Sequence, residues 1–401
     1  FTPYSAGIAA LTLPDAYKAV GDPTHTRLQA VVTDSATNFA AIPFAVVGVE
    51  VDGQFVSLSG AGSDRPIWAQ AAPGVFVAHV DAPDGSPLLR ITRAYALKGP
   101  DRYGFTVTTT TENLSDRPVS ARVVQTGPID LPPADNNYAG DKRRVRFGYM
   151  LSPERQKDLT VHVDDRLDPR AKLLGPRVAV GGGYKAYPAQ HAVWPSERTA
   201  PKGERLSWLA FSDRYFAVVV HPVLDPAAVA RPEDKLLTGL GTIDRLLLNA
   251  GAPANETVMV LRFNGERADL APGAAHVTRF GVYAGPMSRP TIRNDAVLAA
   301  LRVPELVVYN LGGICAPCTF SWLTDALMGV LRLFHSLTAD WAVAIMLLVV
   351  LVRSVLHPVT RWSQIRMQKF GVQMQAMAPK QAKLKEKYKD DPKKLQQEMA
   401  K

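Results

Sequence analysis

A run of twelve apolar residues, from position 341 to 352, constrains this chain more than any other feature of its sequence. The run stops at Arg353, and a His357-Pro358 pair follows one helical turn later. Twelve residues are too few for a membrane-spanning helix, which needs about 20, and such runs are more often buried core helices. Residues 337–359 are long enough to span only if Arg353 lies inside the span. Because ionisable groups at membrane depth are costly, Arg353 is then either functional or a side chain that extends to the headgroups.

The net charge of +9 is concentrated at the C-terminal end. Residues 361–401 contain eleven Lys and Arg against four Asp and Glu, a net +7, so residues 1–360 carry only +2. The basic pI therefore does not indicate a nucleic-acid-binding surface on the main body, and we expect no nucleic acid partner. Since basic residues that flank a span stay in the cytoplasm, we expect residues 361–401 inside and residues 1–336 outside.

Residues 1–290 have the pattern of an all-β domain. Short runs of β-branched and aromatic residues are separated by Gly, Pro, Asp and Asn, as in strands joined by turns. The clearest runs are 44–51, 74–80, 105–111, 208–211, 215–220, 258–263 and 277–283. Many strands with few helical periods predict one large sandwich of two sheets. Residues 126–142, rich in Pro, Asn and Asp, are predicted to form an irregular loop.

Two segments lie between this domain and the apolar run. Residues 291–319 are predicted to be a neck or linker, because Pro and Gly interrupt everything except a short helix near 295–302. Residues 320–337 have apolar side chains at helical spacing and predict an amphipathic helix in the membrane interface. The alternative for this helix is packing against the sandwich.

The remaining sequence predicts the span and a charged helical region. Residues 338–359 form the transmembrane helix, with Asp340 as its N-terminal cap. Pro358 is predicted to kink or end this helix near the cytoplasmic surface. Residues 360–401 predict further helix that is too charged to span a membrane and too poor in apolar residues to fold alone.

The sequence contains no motif of an enzyme active site. It has no His-Glu-x-x-His, no Gly-x-Ser-x-Gly and no phosphate-binding loop, and its eight histidines are scattered. We therefore predict no catalytic residue, no cofactor and no metal. Cys315 and Cys318 form a single Cys-Ala-Pro-Cys. It predicts a local disulfide or two free thiols, with a redox motif or half a metal site as alternatives.

Several short stretches occur together, in a fixed order, at the C-terminal end. They are LRLFHS (331–336), Asp340-Trp341, LVRSVLHPVT (351–360), Ser363-Gln364, MAPK (377–380) and KEKYKDDPKKLQQEM (385–399). This arrangement resembles the YidC family of membrane protein insertases. The stretches RAYALK (93–98) and TENLS (111–115) are similar to parts of the large periplasmic domain of the Gram-negative members, a β-supersandwich.

The resemblance implies a core of five membrane helices, of which this chain holds the first. We accordingly expect four further spans after Lys401 and a targeting segment before Phe1. Arg353 would line a water-filled groove, bind acidic or polar parts of a substrate, and release them as the apolar segment enters lipid. His357 departs from the aromatic or aliphatic residue that is usual before this proline.

The resemblance also implies location and partners. The protein would reside in a bacterial inner membrane as a multi-pass protein, with residues 360–401 as the first arm of a cytoplasmic helical hairpin. Its partners would be nascent membrane proteins, membrane lipids, and the Sec translocon with its accessory subunits. A ribosome or targeting receptor would bind through residues 361–401. An insertase makes and breaks no covalent bond, so the protein would not be an enzyme.

A second reading is a membrane-anchored periplasmic module that binds carbohydrate or serves as a scaffold. The aromatic residues Trp68, Trp194 and Tyr184 are its candidate sugar-stacking groups if they are exposed. A concave cleft lined by these side chains would favour this second reading over the insertase.

Overall fold

The structure, a computed structural model, describes most of the chain. The described residues are 1–17, 23–60, 66–99, 103–133, 141–152, 154, 161–163, 168–169, 173–181, 184–186, 190–195, 203–225, 231–307 and 321–387. The chain divides into two compact units, Phe1–Leu311 and Gly312–Lys401, and each is described by itself.

The first unit is built from β-strands. In chain order they are β1 (Ala10–Tyr17), β2 (His25–Ala30), β3 (Val32–Thr33), β4 (Ala40–Ala41), β5 (Val46–Val51), β6 (Gln54–Ser57), β7 (Ala69–Ala72), β8 (Val75–Asp81), β9 (Pro87–Leu97), β10 (Gly104–Asn113), β11 (Val119–Ile129), β12 (Arg144–Met150), β13 (His162–Val163), β14 (Asp168–Pro169), β15 (Val178–Gly181), β16 (Tyr184–Ala186), β17 (Gln190–Trp194), β18 (Arg205–Ser212), β19 (Phe216–His221), β20 (Thr242–Leu248), β21 (Val258–Asn264), β22 (Ala268–Leu270) and β23 (Ala275–Pro286). The mainly β fold predicted from the sequence is confirmed.

Two large sheets contain most of these strands. The first has the order β13-β12-β18-β19-β23-β10-β9-β8-β7, with β14 beside β12. The second has the order β17-β20-β21-β11-β5-β6, with β22 beside β11. Every pair in both sheets is antiparallel. Antiparallel sheets can bury one face and leave the other polar, which suits a sandwich.

The inner faces of the two sheets share one core. On β10, buried residues such as Phe105 and Val107 alternate with half-buried threonines, as a strand with one buried face requires. Phe280 of the first sheet meets Phe263 of the second edge to face, with ring centroids 6.2 Å apart. The two sheets therefore pack face to face through large apolar side chains.

Strand β11 extends further than predicted. Its residues 126–129 were assigned to an irregular loop, but they continue the strand to Ile129. The register against β21 shifts between Thr126 and Ile129, which accommodates Gly127 and Pro128 in the strand. The hydroxyl of Thr126 donates to the carbonyl of Ile42 at 2.5 Å and accepts from the amide of Ala45 at 2.8 Å. The loop prediction for 126–129 is therefore wrong.

A buried arginine joins the two sheets. Arg93 of β9 is fully buried, and its Nη1 donates to Gln125 Oε1 of β11 at 2.6 Å and to Thr109. Its Nη2 donates to the carbonyl of Phe44 at 2.7 Å, and Tyr95 lies beside its Nε. No carboxylate pairs with this guanidinium in the described part of the chain. Neutral acceptors from both sheets accept hydrogen bonds from its N–H groups, and buried polar groups need such partners.

A helical cap covers part of the first sheet's outer face. It consists of α1 (Arg289–Arg293), α2 (Ala296–Ala300) and a 3-10 turn, Val303–Leu306; a second 3-10 turn, Pro232–Lys235, lies elsewhere. The cap buries Ile292, Leu298 and Leu301 in one apolar cluster with Trp208 of β18. The residues predicted as the start of a linker, 291–307, thus pack on the sheet. The predicted short helix near 295–302 is present, and Asp295 caps it by accepting from the amides of residues 297 and 298.

Hydrogen bonds from the sheet side hold this cap. Trp208 Nε1 donates to the carbonyl of Leu301 at 2.9 Å, and Arg146 Nη1 donates to the carbonyl of Leu306 at 3.0 Å. Lys98 Nζ lies 3.3 Å from Asp295 Oδ2. Carbonyls at helix ends need such donors because they have no partner within the helix.

His221, at the end of β19, lies fully buried near this ion pair. Its Nδ1 is 2.8 Å from the carbonyl oxygen of Pro222. Burial, and then the neighbouring Lys98 ammonium, lower the pKa of His221 to about 4, while Pro222 and Asp295 act in the opposite direction. The imidazole is therefore neutral at pH 7.

Replacing Arg93 by methionine tests the inter-sheet network. Arg93→Met leaves the buried acceptors of Gln125 and Thr109 without their donor, while the carbonyl of Phe44 keeps its hydrogen bond from the hydroxyl of Tyr95. We therefore expect the free energy of unfolding to fall by about 3 kcal/mol. The matched control is Arg90→Met, on the same strand, because Arg90 makes a surface ion pair with Glu112. We expect that change to cost less than about 1 kcal/mol. Urea unfolding measures both, and equal losses would contradict the bridging role.

The depressed pKa of His221 predicts acid sensitivity. The unfolded chain binds a proton at this imidazole below about pH 6.5, whereas the folded chain does not until about pH 4. The stability present above pH 6.5 is therefore lost as pH falls, by up to about 3 kcal/mol at pH 4. Urea unfolding between about pH 7 and pH 4 should show a steeper loss for the unaltered chain than for His221→Phe. Parallel pH curves would show that His221 does not contribute.

Candidate functional site

In the described residues of the second unit, 321–387, two helices are joined by a short turn. They are α3 (Ser321–Thr338) and α4 (Trp341–Lys387). Ala339 takes a left-handed conformation between them, with φ of 54°. Asp340 Oδ1 accepts from the amides of Ala342 and Val343 at 2.6 and 3.1 Å, so the predicted cap is confirmed.

Side chains fix the junction of the two helices. The ring of His335 stacks on that of Trp341, with centroids 3.8 Å apart and planes at 17°. Ala344 is fully buried, and Leu348 and Val352, at intervals of four residues, are half-buried. Since residues four apart lie on one helix face, this stripe is the face of α4 that contacts α3.

Helix α4 runs through Pro358 without ending. The sequence predicted a kink or an end at this residue, and the structure excludes the end. Proline cannot donate to the carbonyl four residues earlier, here that of Ser354. Close to this break, the hydroxyl of Thr360 donates to the carbonyls of Leu356 and His357, at 3.0 and 2.9 Å. The helix is 47 residues long.

Arg353 lies next to the packed stripe but outside it. Successive helical residues are rotated by about 100°, so Arg353 points away from the face that contacts α3. Its side chain is exposed, and it makes no hydrogen bond or ion pair with any residue that the structure describes. An arginine here depends on water, lipid headgroups or another polypeptide for its partners.

The face that carries Arg353 changes character along the helix. On its N-terminal side the same face presents Met346 and Val350; on its C-terminal side it presents His357 and Gln364. All of these residues are exposed. Arg353 therefore marks the boundary between an apolar and a polar half of one helix face.

The depth of Arg353 follows from helix geometry. In the described part of the chain, residues 341–370 form the one helix that is long and apolar enough to cross a membrane. Only 6% of its most apolar stretch of 18 residues is buried. Arg353 comes twelve residues after Trp341, which corresponds to about 18 Å along the helix axis. A bilayer core is about 30 Å thick. With Trp341 at one boundary, the Cα of Arg353 lies about 12 Å inside the other.

The other residues singled out in the sequence are either buried or lie outside the described residues. Cys315 and Cys318 lie outside the described residues, as does the side chain of Tyr184. Trp68 is buried, and its Nε1 donates to the carbonyl of Leu58 at 3.0 Å. Trp194 is also buried, stacked on Phe147. No cluster of metal-binding side chains occurs among the described residues.

Sequence reasoning missed the polar groups buried in the sandwich. Arg93 and His221 are both buried, although neither belongs to a recognisable motif. The sequence did carry a signal for Arg93. It lies two residues from both Ile91 and Tyr95, so all three side chains point to the same, buried face of the strand. His221 carried no comparable signal, because the cap that buries it comes from residues far along the chain.

A β-sandwich unit followed by one helix that is long and apolar enough to cross a membrane indicates a membrane protein. Residues 333–401 match the family model described as 60Kd inner membrane protein. The chain also aligns with several proteins named membrane protein insertase YidC. Over part of its length, the chain is therefore similar to proteins of the YidC family.

Three relatives illustrate the similarity. The protein from Chlamydia caviae is 29% identical over 198 residues, which cover 48% of this chain and 24% of the relative. The one from Treponema pallidum is 31% identical over 208 residues, 49% and 28% of the two chains. The one from Shewanella halifaxensis is 32% identical over 137 residues, 34% and 22%. The chain thus matches about a quarter of the length of these relatives.

Solved structures resemble the chain only weakly. A galactose mutarotase-related enzyme from Lactobacillus acidophilus has a TM-score of 0.35 at 8% identity, over 71% of this chain and 93% of that one. A TPR-domain protein from Parabacteroides distasonis has a TM-score of 0.36 at 9% identity, over 71% and 44%. Similarity at this level carries no conclusion about activity.

Enlarging Ala344 tests the packing of α3 on α4. In Ala344→Leu the added side chain cannot fit the closed contact, so we expect the helices to move apart by about 1–2 Å. Spin labels at the exposed positions 333 and 350, in a chain with both native cysteines replaced by serine, report the separation by double electron–electron resonance. The control is Ala342→Leu, at an exposed position of the same helix. A distance unchanged from that control would exclude the close contact.

Proposed function

We propose that this chain acts in membrane protein insertion, with Arg353 as the residue that receives polar parts of the incoming polypeptide. Two observations support this function: the similarity of part of the chain to YidC proteins, and an arginine in a candidate membrane helix that has no partner among the described residues. An ionisable residue at such depth is functional by default. The substrates are newly made membrane proteins.

The proposed mechanism is electrostatic. A guanidinium stays protonated, so Arg353 offers a permanent positive charge and five N–H donors. At 4 Å a carboxylate attracts it by about 1 kcal/mol in water but by about 4 kcal/mol at an effective dielectric constant of 20. A groove of intermediate polarity would thus hold an acidic or polar tail. The tail leaves once the adjoining apolar segment enters lipid, and because no bond is made or broken, the protein is not an enzyme.

The proposed topology follows from charge and helix length. At 47 residues, α4 is about 70 Å long, more than twice the thickness of a bilayer core, so part of it extends into water. The basic residues after 361 favour the cytoplasm for that part and the periplasm for residues 1–336. We place the protein in a bacterial inner membrane as a multi-pass protein. Residues 338–359 are the span, and 360–401 are the first arm of a cytoplasmic hairpin.

Each extramembrane part has a proposed partner. The cytoplasmic arm would bind a ribosome or a targeting receptor, to which its lysines are electrostatically suited. The sandwich would dock subunits of the Sec translocon, and α3 would lie in the interface of the membrane. We further propose that Cys315 and Cys318 form a local disulfide or remain two free thiols.

The reading as a carbohydrate-binding module with stacking aromatics loses its support. Trp68 and Trp194 are buried in the core, so neither indole can stack on a sugar at the surface. The insertase is therefore the function that we propose.

Substituting Arg353 in the complete protein tests the mechanism. Arg353→Ala should impair insertion of substrates with charged translocated tails and fail to restore growth of an insertase-depleted strain, because the groove loses its charge. Arg353→Lys should largely preserve growth, since an ammonium supplies the same charge. The control is Arg332→Ala, at an exposed position of α3 outside the proposed groove and the cytoplasmic arm, which should restore growth.

Normal growth with Arg353→Ala would support the alternative, in which the side chain only extends to the headgroups. Cysteine reactivity in intact membranes separates the two readings further. With a hydrated groove, Arg353→Cys and His357→Cys both react with a membrane-impermeant maleimide from the cytoplasmic side, and Val350→Cys does not. Failure of Arg353→Cys to react would contradict the groove.

A further inference from the structure

A cavity of about 280 Å³ lies where the outer face of the first sheet meets the start of α2. Three adjacent strands supply one row of its wall, because Thr106 of β10 pairs with Gly281 of β23, and Gly281 pairs with His221 of β19. Lys98, Asn294 and Asp295 complete its polar lining. The cavity belongs entirely to the first unit and is independent of Arg353.

Gly281 makes the placement of the imidazole possible. A Cβ at this position would collide with the ring atoms of His221. The ring therefore lies directly over the backbone of β23, in the space that the side chain of any residue other than glycine at position 281 would fill. The row thus presents a hydroxyl, a bare backbone and an imidazole side by side.

His221 offers an unused hydrogen-bond acceptor. A carbonyl oxygen can only accept, so the hydrogen between His221 and Pro222 is on Nδ1. In the neutral imidazole, Nε2 then carries a lone pair and no hydrogen. This Nε2 is buried and has no hydrogen-bond partner among the described residues. Leaving such an atom unpaired is costly, and a donor reaching it would be stabilising.

The ion pair beside His221 offers donors. One oxygen of Asp295 accepts from the amides of Val297 and Leu298 at 3.0 and 3.3 Å, and the other faces Lys98. The carboxylate is therefore committed to partners within the chain. The ammonium of Lys98 has three N–H groups, of which one meets Asp295, so it retains donors for a ligand. The pair as a whole has no net charge.

These groups select for hydroxyls. A hydroxyl both donates and accepts, so it can give a hydrogen to Nε2 of His221 and receive one from Lys98 or Thr106. A carboxylate anion has no hydrogen to donate and leaves Nε2 unpaired. An ion of either sign would also bring a net charge to a cavity whose ion pair has none. Val223 and Leu224 line the same cavity and suit carbon-bound hydrogens. The volume lies just below the range for drug-sized ligands.

We propose that this cavity binds a neutral polyol of monosaccharide size, with the row Thr106–Gly281–His221 as its polar floor. The site would give the extramembrane sandwich a small-molecule ligand in addition to its polypeptide partners.

The test follows the imidazole directly. The whole chain, labelled with ¹⁵N-histidine, is placed in phosphatidylcholine nanodiscs, whose headgroups contain no polyol. The His221 signal is identified by its loss in His221→Phe. D-glucose, D-galactose and glycerol are then titrated in turn. We expect a saturable shift of Nε2, as for an acceptor that gains a hydrogen bond, with at least one of the three.

Two further variants make the result specific. Thr106→Val keeps the size and strand preference of the side chain and removes the hydroxyl, so it should weaken binding by about tenfold. His79→Gln changes an exposed histidine of the same sheet, outside the cavity, and should leave binding unchanged. The proposal is overturned if no probe gives a saturable shift, which would mean that water alone fills the cavity. It is equally overturned if Thr106→Val binds as tightly as the unaltered chain.

Discussion

Each unit of this protein contains an arginine in apolar surroundings, and the guanidinium of each arginine needs hydrogen-bond partners. In the sandwich, Arg93 is enclosed by acceptors from two sheets, so its charge becomes a link between them. In α4, Arg353 interrupts the apolar run and has no partner in the described chain. A guanidinium cannot lose its proton to escape this cost. The first arginine therefore stabilises a closed core, whereas the second depends on water, lipid headgroups or another polypeptide beside the helix.

The sandwich extends to the residues that precede the membrane helices. The cap at 289–307 is held by apolar burial against Trp208 and by donors to its carbonyls. What the sequence presents as a linker is thus a structural part of the β domain. The cap also supplies one wall of the His221 cavity.

The proposed insertase mechanism needs little from the protein besides position. Helix α4 provides a packed stripe toward α3 and, about 100° away, a face that turns from apolar to polar at Arg353. A polypeptide beside that face would meet a charge at the depth where its polar residues are least stable. The stacked pair His335–Trp341 and the Asp340 cap hold the helix in register with α3.

The sequence by itself determined the mainly β first unit, the apolar helix, its Asp340 cap and the placement of Arg353, because period and composition are local properties. It also carried the resemblance to the family that residues 333–401 match. Tertiary structure alone decided that β11 continues through Gly127 and Pro128, that Trp68 and Trp194 are buried, and that His221 is enclosed beside Lys98 and Asp295. These outcomes depend on contacts between residues far apart in the chain, which no local pattern encodes.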